Sequence, residues 1–144
     1  MHVVNIPPEL VFQALADATR VRVLRVLSAA NREEACLCEL VDSLLEQQYK
    51  LSRHIKILRQ AGLLTASKEG RFVYHRLVTR PVHLQKLYDT IRALPDAEGT
   101  FAADLRRFRN RMRLREAGRC RIGIQTESFA GPLPNRRDIE HGTQ

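Results

Sequence analysis

A mainly α-helical fold interrupted by one β-ribbon follows from three observations on the sequence. Apolar residues recur at helical spacing in successive stretches from residue 8 onward, each closed by a proline, a glycine or a polar break. The period then switches from 3.6 to 2 on both sides of Glu69-Gly70. Between the two, residues 48–60 put an apolar stripe of Leu51, Ile55 and Leu58 opposite a polar and basic face. In chain order the elements read α-α-α-α-β-β-α, a winged helix-turn-helix, extended by an extra C-terminal helix and a flexible tail.

The first helix is "PELVFQALA", whose proline suits an opening turn and whose Leu10, Val11, Ala14 and Leu15 share one side. Asp17 is a candidate N-cap for the second, "ATRVRVLRVLSAA". "NREE" breaks the pattern, and after a few extended residues "ACLCELVDSLLEQ" opens a short third helix. The fourth stops at Gly62. "LLTASK" and "RFVYHRLV" are the strands of a two-stranded ribbon with its turn at Glu69-Gly70. Pro81 begins a fifth helix, whose Val82, Leu84, Leu87, Ile91 and Leu94 exceed what a small domain can cover, so pairing with the first helix and a second copy is expected. The sixth, "TFAADLRRFRNRMRLREAG", distributes arginines all round its axis, and periodicity is lost from Arg119. These readings divide the chain into a DNA-binding and dimerisation domain (1–94), a basic C-terminal helix (95–118) and a tail carrying Cys120 (119–144).

Lysine plus arginine number 24 against 16 acidic residues, a formal charge of +8, which favours a polyanionic partner such as nucleic acid. The start of the chain lacks the basic and apolar regions of an export signal, and no apolar run approaches a membrane span. A cytoplasmic protein without membrane contact is therefore expected. In that compartment its three cysteines are free thiols. No nucleophile and base form a recognisable catalytic motif, so an enzyme is not expected and no catalytic cofactor is required.

The face of the fourth helix offers Gln48, Tyr49, Lys50, Ser52, Arg53 and His54, which combine base-edge donors and acceptors with cations for phosphates. Lys68 and Arg71 flank the ribbon turn and are placed for an adjacent groove or phosphate. Cys36 and Cys38 stand one residue apart. On a regular helix they would point about 200° apart, so a shared ion requires Cys36 in an extended lead-in and Cys38 in the first helical turn. There the helix N-terminus also favours thiolate. Small apolar core residues, a redox or persulfide pair, and soft-metal ligands are the three readings of this pair. Thiolates select As(III), Sb(III), Cd(II), Pb(II) or Cu(I) over harder ions. Cys120, flanked by Arg119 and Arg121, is the remaining thiol.

The strings "ALADATRVRVLRVLS", "CLCEL" and "LSRHIKILRQAGLLTASKEGRFVYHRL", in this order over residues 8 to 94, resemble the ArsR/SmtB family of metal-responsive repressors. The resemblance implies a homodimer on double-stranded operator DNA that is released by a toxic metal or metalloid. "CLC" followed by "EL" is similar to the cysteine motif of the family's arsenic and antimony sensors and of its cadmium and lead sensors. Where those arsenic sensors place a third cysteine this chain has Val41, and residues 1–35 hold none of the N-terminal thiols of the cadmium sensors. A third thiolate therefore comes from Cys120 or from nowhere. His83 and Asp89 lack the paired pattern of the family's zinc sites. The expected effector is As(III) or Sb(III) at Cys36 and Cys38 with Cys120; a thiol redox or persulfide sensor, or a Cd/Pb sensor, is the alternative.

Overall fold

The computed structural model describes residues 6–31 and 34–130. The elements are α1 (Pro8–Leu15), α2 (Ala18–Ala29), β1 (Glu34–Cys36), α3 (Leu37–Leu44), α4 (Gln48–Gln60), β2 (Leu64–Glu69), β3 (Phe72–Leu77), α5 (Val82–Ala93), α6 (Thr100–Met112) and a single turn, α7 (Thr126–Phe129). This is a winged helix-turn-helix, with α3 and α4 as the helix pair and β2–β3 as the wing.

Local chemistry explains the boundaries. The Asp17 carboxylate accepts from the backbone N–H of Thr19 and Arg20, satisfying two of the donors that open α2. Gly62 follows α4 with φ +77°, and a Cβ there would stand 2.3 Å from the Ile6 side chain. Asp96 takes the same capping role for α6, accepting from Phe101 and Ala102. The core gathers Val23, Leu24, Leu27, Leu40, Leu44, Leu51, Leu58 and Leu63 from α2, α3, α4 and the start of the wing, with Tyr88 and Ile91 of α5 and Phe108 of α6 behind them.

Three features differ from the expectations. The sheet has three strands rather than two, in the order β1-β3-β2, because Glu34–Cys36 pairs antiparallel with β3 and sets Cys36 opposite Tyr74. The wing turn is one residue later than expected: Glu69 pairs with Phe72, leaving Gly70 and Arg71 as the two turn residues, and Gly70 supplies the positive φ at the first of them. The largest difference is at the C-terminal end. Helix α6 ends at Met112, and residues 119–130 pack back on α3 and the sheet instead of leaving as a tail. The part of the expected tail from residue 131 lies outside the described residues.

Arginines of α6 and of the turn that follows it account for this return. Arg107 and Arg111 of the helix and Arg115 just beyond it, four apart, each meet an acid. Asp104 is held by Arg22 and Arg107, Asp42 by Arg111 at 2.7 Å, and Glu39 by both ends of Arg115 at 2.7 and 2.8 Å. Arg107 and Arg22 also donate to Ser43 O and Leu44 O, capping the last carbonyls of α3. Arg111 donates further to Ile122 O and Gly123 O, while Asp42 accepts from Gln125 N and Thr126 Oγ1. The stretch read as basic all round thus has one side fixed by ion pairs to Asp104, Asp42 and Glu39, leaving Arg106, Arg109 and Arg113 exposed.

Candidate functional site

Cys36 closes β1 in extended conformation (φ −77°, ψ 158°) and is the N-cap of α3; Cys38 is the second residue of that helix. The returning segment then brings Cys120 between them. Its Sγ lies 3.6 Å from Cys38 Sγ, and Cys36 Sγ, Cys120 Sγ and a Glu39 carboxylate oxygen all fall within 4.8 Å of one another. Cys36 and Cys120 are buried, Cys38 partly so, and all three are free thiols. The three cysteines singled out from the sequence are thus brought together within one chain.

Two residues fix the arrangement. Tyr74, beside Cys36 across the β1–β3 ladder, accepts a hydrogen bond from Cys120 N at 2.9 Å. Glu39 accepts from Cys36 N at 2.9 Å, binding strand end to helix start. Electrostatics divide the thiols. Hydrogen bonding from Cys36 holds the Cys38 thiol down at about 7, with help from Cys120 and the Arg111 guanidinium. The same Cys36–Cys38 interaction, with burial and the Glu39 charge, pushes Cys36 up; burial and Glu39 also raise Cys120. Cys38 is therefore the thiol that ionises first, near neutral pH, while the other two keep their protons there. One Arg111 nitrogen, Nη1, is buried without a partner among the described residues.

Neither Glu39 nor Arg111 and Arg115 was singled out from the sequence as part of this site. The signal was there: two acids three apart on an otherwise apolar helix need buried cations, and arginines four apart supply them.

On the other side, Gln48, Tyr49, Lys50, Ser52 and Arg53 of α4 are exposed, as are Lys68 and Arg71 at the wing. His54 is drawn inward: its Nδ1 is 3.1 Å from Arg20 Nη1 and 3.7 Å from Asp17. Nδ1 thus faces Arg20 and Asp17, and only the Nε2 edge is left for an outside partner. Between α4 and β3 lies a cavity of about 180 Å³ lined by Ser52, Arg53, Lys56, Arg59 and His75. Its three cations form no ion pair among the described residues. Burial first, and then the Arg59 charge, pull His75 down to about 4, so it is neutral there.

No helix among the described residues is long and apolar enough to cross a membrane. Residues 17–66 match the family model described as bacterial regulatory protein, arsR family. The chain is 46% identical over 70 residues to the arsenic resistance transcriptional regulator ArsR1 of Pseudomonas putida, covering 49% of this chain and 53% of that protein. It is 36% identical over 67 residues to a cadmium resistance transcriptional regulatory protein CadC homolog of Staphylococcus aureus, covering 46% and 54%. The match therefore spans about half the length of each. With the HTH-type transcriptional regulator MJ1325 of Methanocaldococcus jannaschii it shares 34% over 82 residues, 56% of this chain and 90% of that one. The winged fold, the family match across α2 to β2 and the near-complete coverage of this last relative place the chain in the ArsR family of bacterial regulatory proteins.

Proposed function

We propose that this chain is a non-catalytic transcriptional repressor that binds double-stranded operator DNA as a homodimer and releases it when Cys36, Cys38 and Cys120 capture trivalent arsenic or antimony. The observation that carries the reading is the convergence of three thiols, two from the β1–α3 junction and one from 82 residues further on, with 3.6 Å between Cys38 and Cys120. Sulfurs bound at about 2.3 Å to one soft ion would stand about 3.8 Å apart or less, so little movement is needed to close the set. The oxygens beside the thiols are engaged, Glu39 by Arg115 and Cys36 N and the Ile122 carbonyl by Arg111 Nη2, which leaves sulfur as the freer donor type and favours a soft ion. Each thiol replaces one hydroxide of As(OH)3, and its proton leaves in the water released. Cys38, whose thiol is held at about 7, would exchange first, and where it enters as thiolate the hydroxide it displaces takes its proton from solvent. The name of the Pseudomonas putida relative supports the arsenic reading; that of the Staphylococcus aureus relative keeps cadmium as the competitor.

For the DNA half, the exposed polar face of α4 enters a major groove and Lys68 and Arg71 meet the flanking backbone. Leu10 and Phe12 of α1 and Val82 of α5, exposed in one chain, are the surface for the second copy. Two recognition helices must stand about 34 Å apart to reach successive grooves. Drawing the start of α3 toward Cys120 strains the helix joined to α4 by only residues 45–47, which shifts the dimer from that spacing.

The test is operator binding measured by fluorescence anisotropy with As(III), Sb(III), Cd(II), Pb(II), Zn(II) and hydrogen peroxide, on wild type and each single Cys→Ser variant. Release by As(III) and Sb(III), lost in all three variants, is expected. Release by peroxide but not by arsenite would make the thiols a redox switch, and a Cys120→Ser variant that responds as wild type does would remove Cys120 from the site.

A further inference from the structure

The residue before the third thiol reaches further than the thiol itself. Arg119 donates to Glu69 at the end of β2, through Nε at 2.9 Å and through Nη2, and to Glu34 at the start of β1 at 2.7 Å. Its guanidinium lies 3.9 Å from the centre of the Tyr74 ring on β3, the same tyrosine whose hydroxyl holds Cys120 N. One side chain thus touches all three strands of the sheet. A turn closed by mutual Glu116 and Arg119 backbone bonds, with Gly118 at φ +74°, sets it in place.

We infer that Arg119 is the positioning residue that transmits ligand capture at Cys120 to the DNA-reading wing. The inference rests on the reading of the thiol cluster given above and adds the route by which that cluster reaches the wing. Cys36 Sγ and Cys120 Sγ, within 4.8 Å of each other, must close to about 3.8 Å or less around a common ion, moving Cys120 by up to about 1 Å. Arg119 is peptide-bonded to Cys120, and its bonds end on Glu69, which stands between Lys68 and the Gly70-Arg71 turn. Displacement of the thiol therefore drags or releases the tip of the wing, while Glu34 and Tyr74 hold the base of the sheet. Packed elements change by switching between discrete arrangements, so a shift of this size is enough. This route runs parallel to the strain on α3: one end of the closing site pulls the helix pair and the other pulls the wing.

The test measures the ratio of operator affinities without and with saturating As(III) for wild type, Arg119→Gln, Glu69→Gln and the double variant. Direct As(III) binding is followed in parallel by the sulfur-to-arsenic ultraviolet absorbance, and thermal midpoints control for folding. Because the ratio cancels the change each variant makes in basal affinity for DNA, it isolates the coupling. The expected result is that both single variants bind As(III) as wild type does, yet the ratio falls by about threefold or more, out of the 5- to 150-fold range usual for such coupling. The double variant should lose no more than either single one, since all three break the same link. Wild-type ratios in Arg119→Gln would overturn the inference and leave the thiol site intact. Additive losses in the double variant would overturn it too, because the two residues would then act separately. If wild type itself shows no arsenic–sulfur absorbance, the thiol reading fails first and takes this route with it.

Discussion

Replacing Arg111 by methionine is the sharpest test of how the C-terminal segment is held. Arg111 and Asp42 are both 0% exposed and meet at 2.7 Å. Burial works against the charge on Arg111, but the hydrogen bond and charge of Asp42 outweigh it and hold its pKa above the ordinary value. Methionine fills much of the same volume, so the main loss is electrostatic: Asp42 stays buried with only Gln125 N and Thr126 Oγ1 as donors, and the carbonyls of Ile122 and Gly123 lose theirs. Removing one partner from a buried pair costs about 3–5 kcal/mol, a large share of the 5–15 kcal/mol typical of a domain. The partly exposed Arg92–Asp89 pair is the internal control, at about 1 kcal/mol or less. Urea unfolding followed by circular dichroism gives both values, and thermal melting should show a drop of roughly 10 °C for Arg111→Met. A loss under about 1 kcal/mol, equal to that of Arg92→Gln, would refute the claim that this ion pair fastens residues 119–126 to α3.

Three more outcomes follow from the same structure. His75 has a folded pKa of about 4 against 6.5 when free, so below pH 6.5 the unfolded chain binds a proton that the folded one refuses. Wild type should lose up to about 3 kcal/mol more than His75→Gln as pH falls from 6.5 to 4, measured by urea titration at each pH, with no difference above 7. Lys56→Gln and Arg59→Gln, at the cavity between α4 and β3, should each lower the slope of log affinity against log salt by about 0.9 if a DNA phosphate sits there; unchanged slopes would empty that cavity of phosphate. Cys38, held at about 7, should be alkylated by iodoacetamide about tenfold faster at pH 8 than at pH 6, as its thiolate fraction rises; tryptic mapping would check that Cys36 lags behind.

The parts legible in the sequence were those governed by local chemistry. Asp17 as a cap, Gly62 as a stop, and the alternation either side of the wing turn each depend on a few neighbouring residues. The extended Cys36 leading into a helical Cys38 was also accessible, because only that geometry lets an i, i+2 pair face one partner. The fold-back of residues 119–130 was not. It is held by Asp42 and Tyr74, 83 and 46 residues away, and leaves no periodicity in its own stretch. Arginines at nearly alternate positions from residue 107 to residue 115 hid the three that matter. Strand β1 was too short for its alternation to show, and only pairing with β3 makes it a strand. His54 followed the helix face in the sequence, but Arg20 in the first turn of α2 claims its ring.

Because Cys36, Cys38 and Cys120 all belong to one polypeptide, each copy carries a full set of sulfur donors. On the proposed function, occupancy needs no second subunit to complete it: the expected stoichiometry is one ion per chain, and intrinsic affinity should not change on dilution. On that proposal sensing and assembly are separable properties: a variant that cannot dimerise should still bind the ion, and a dimer with one ruined thiol set should still answer with the other.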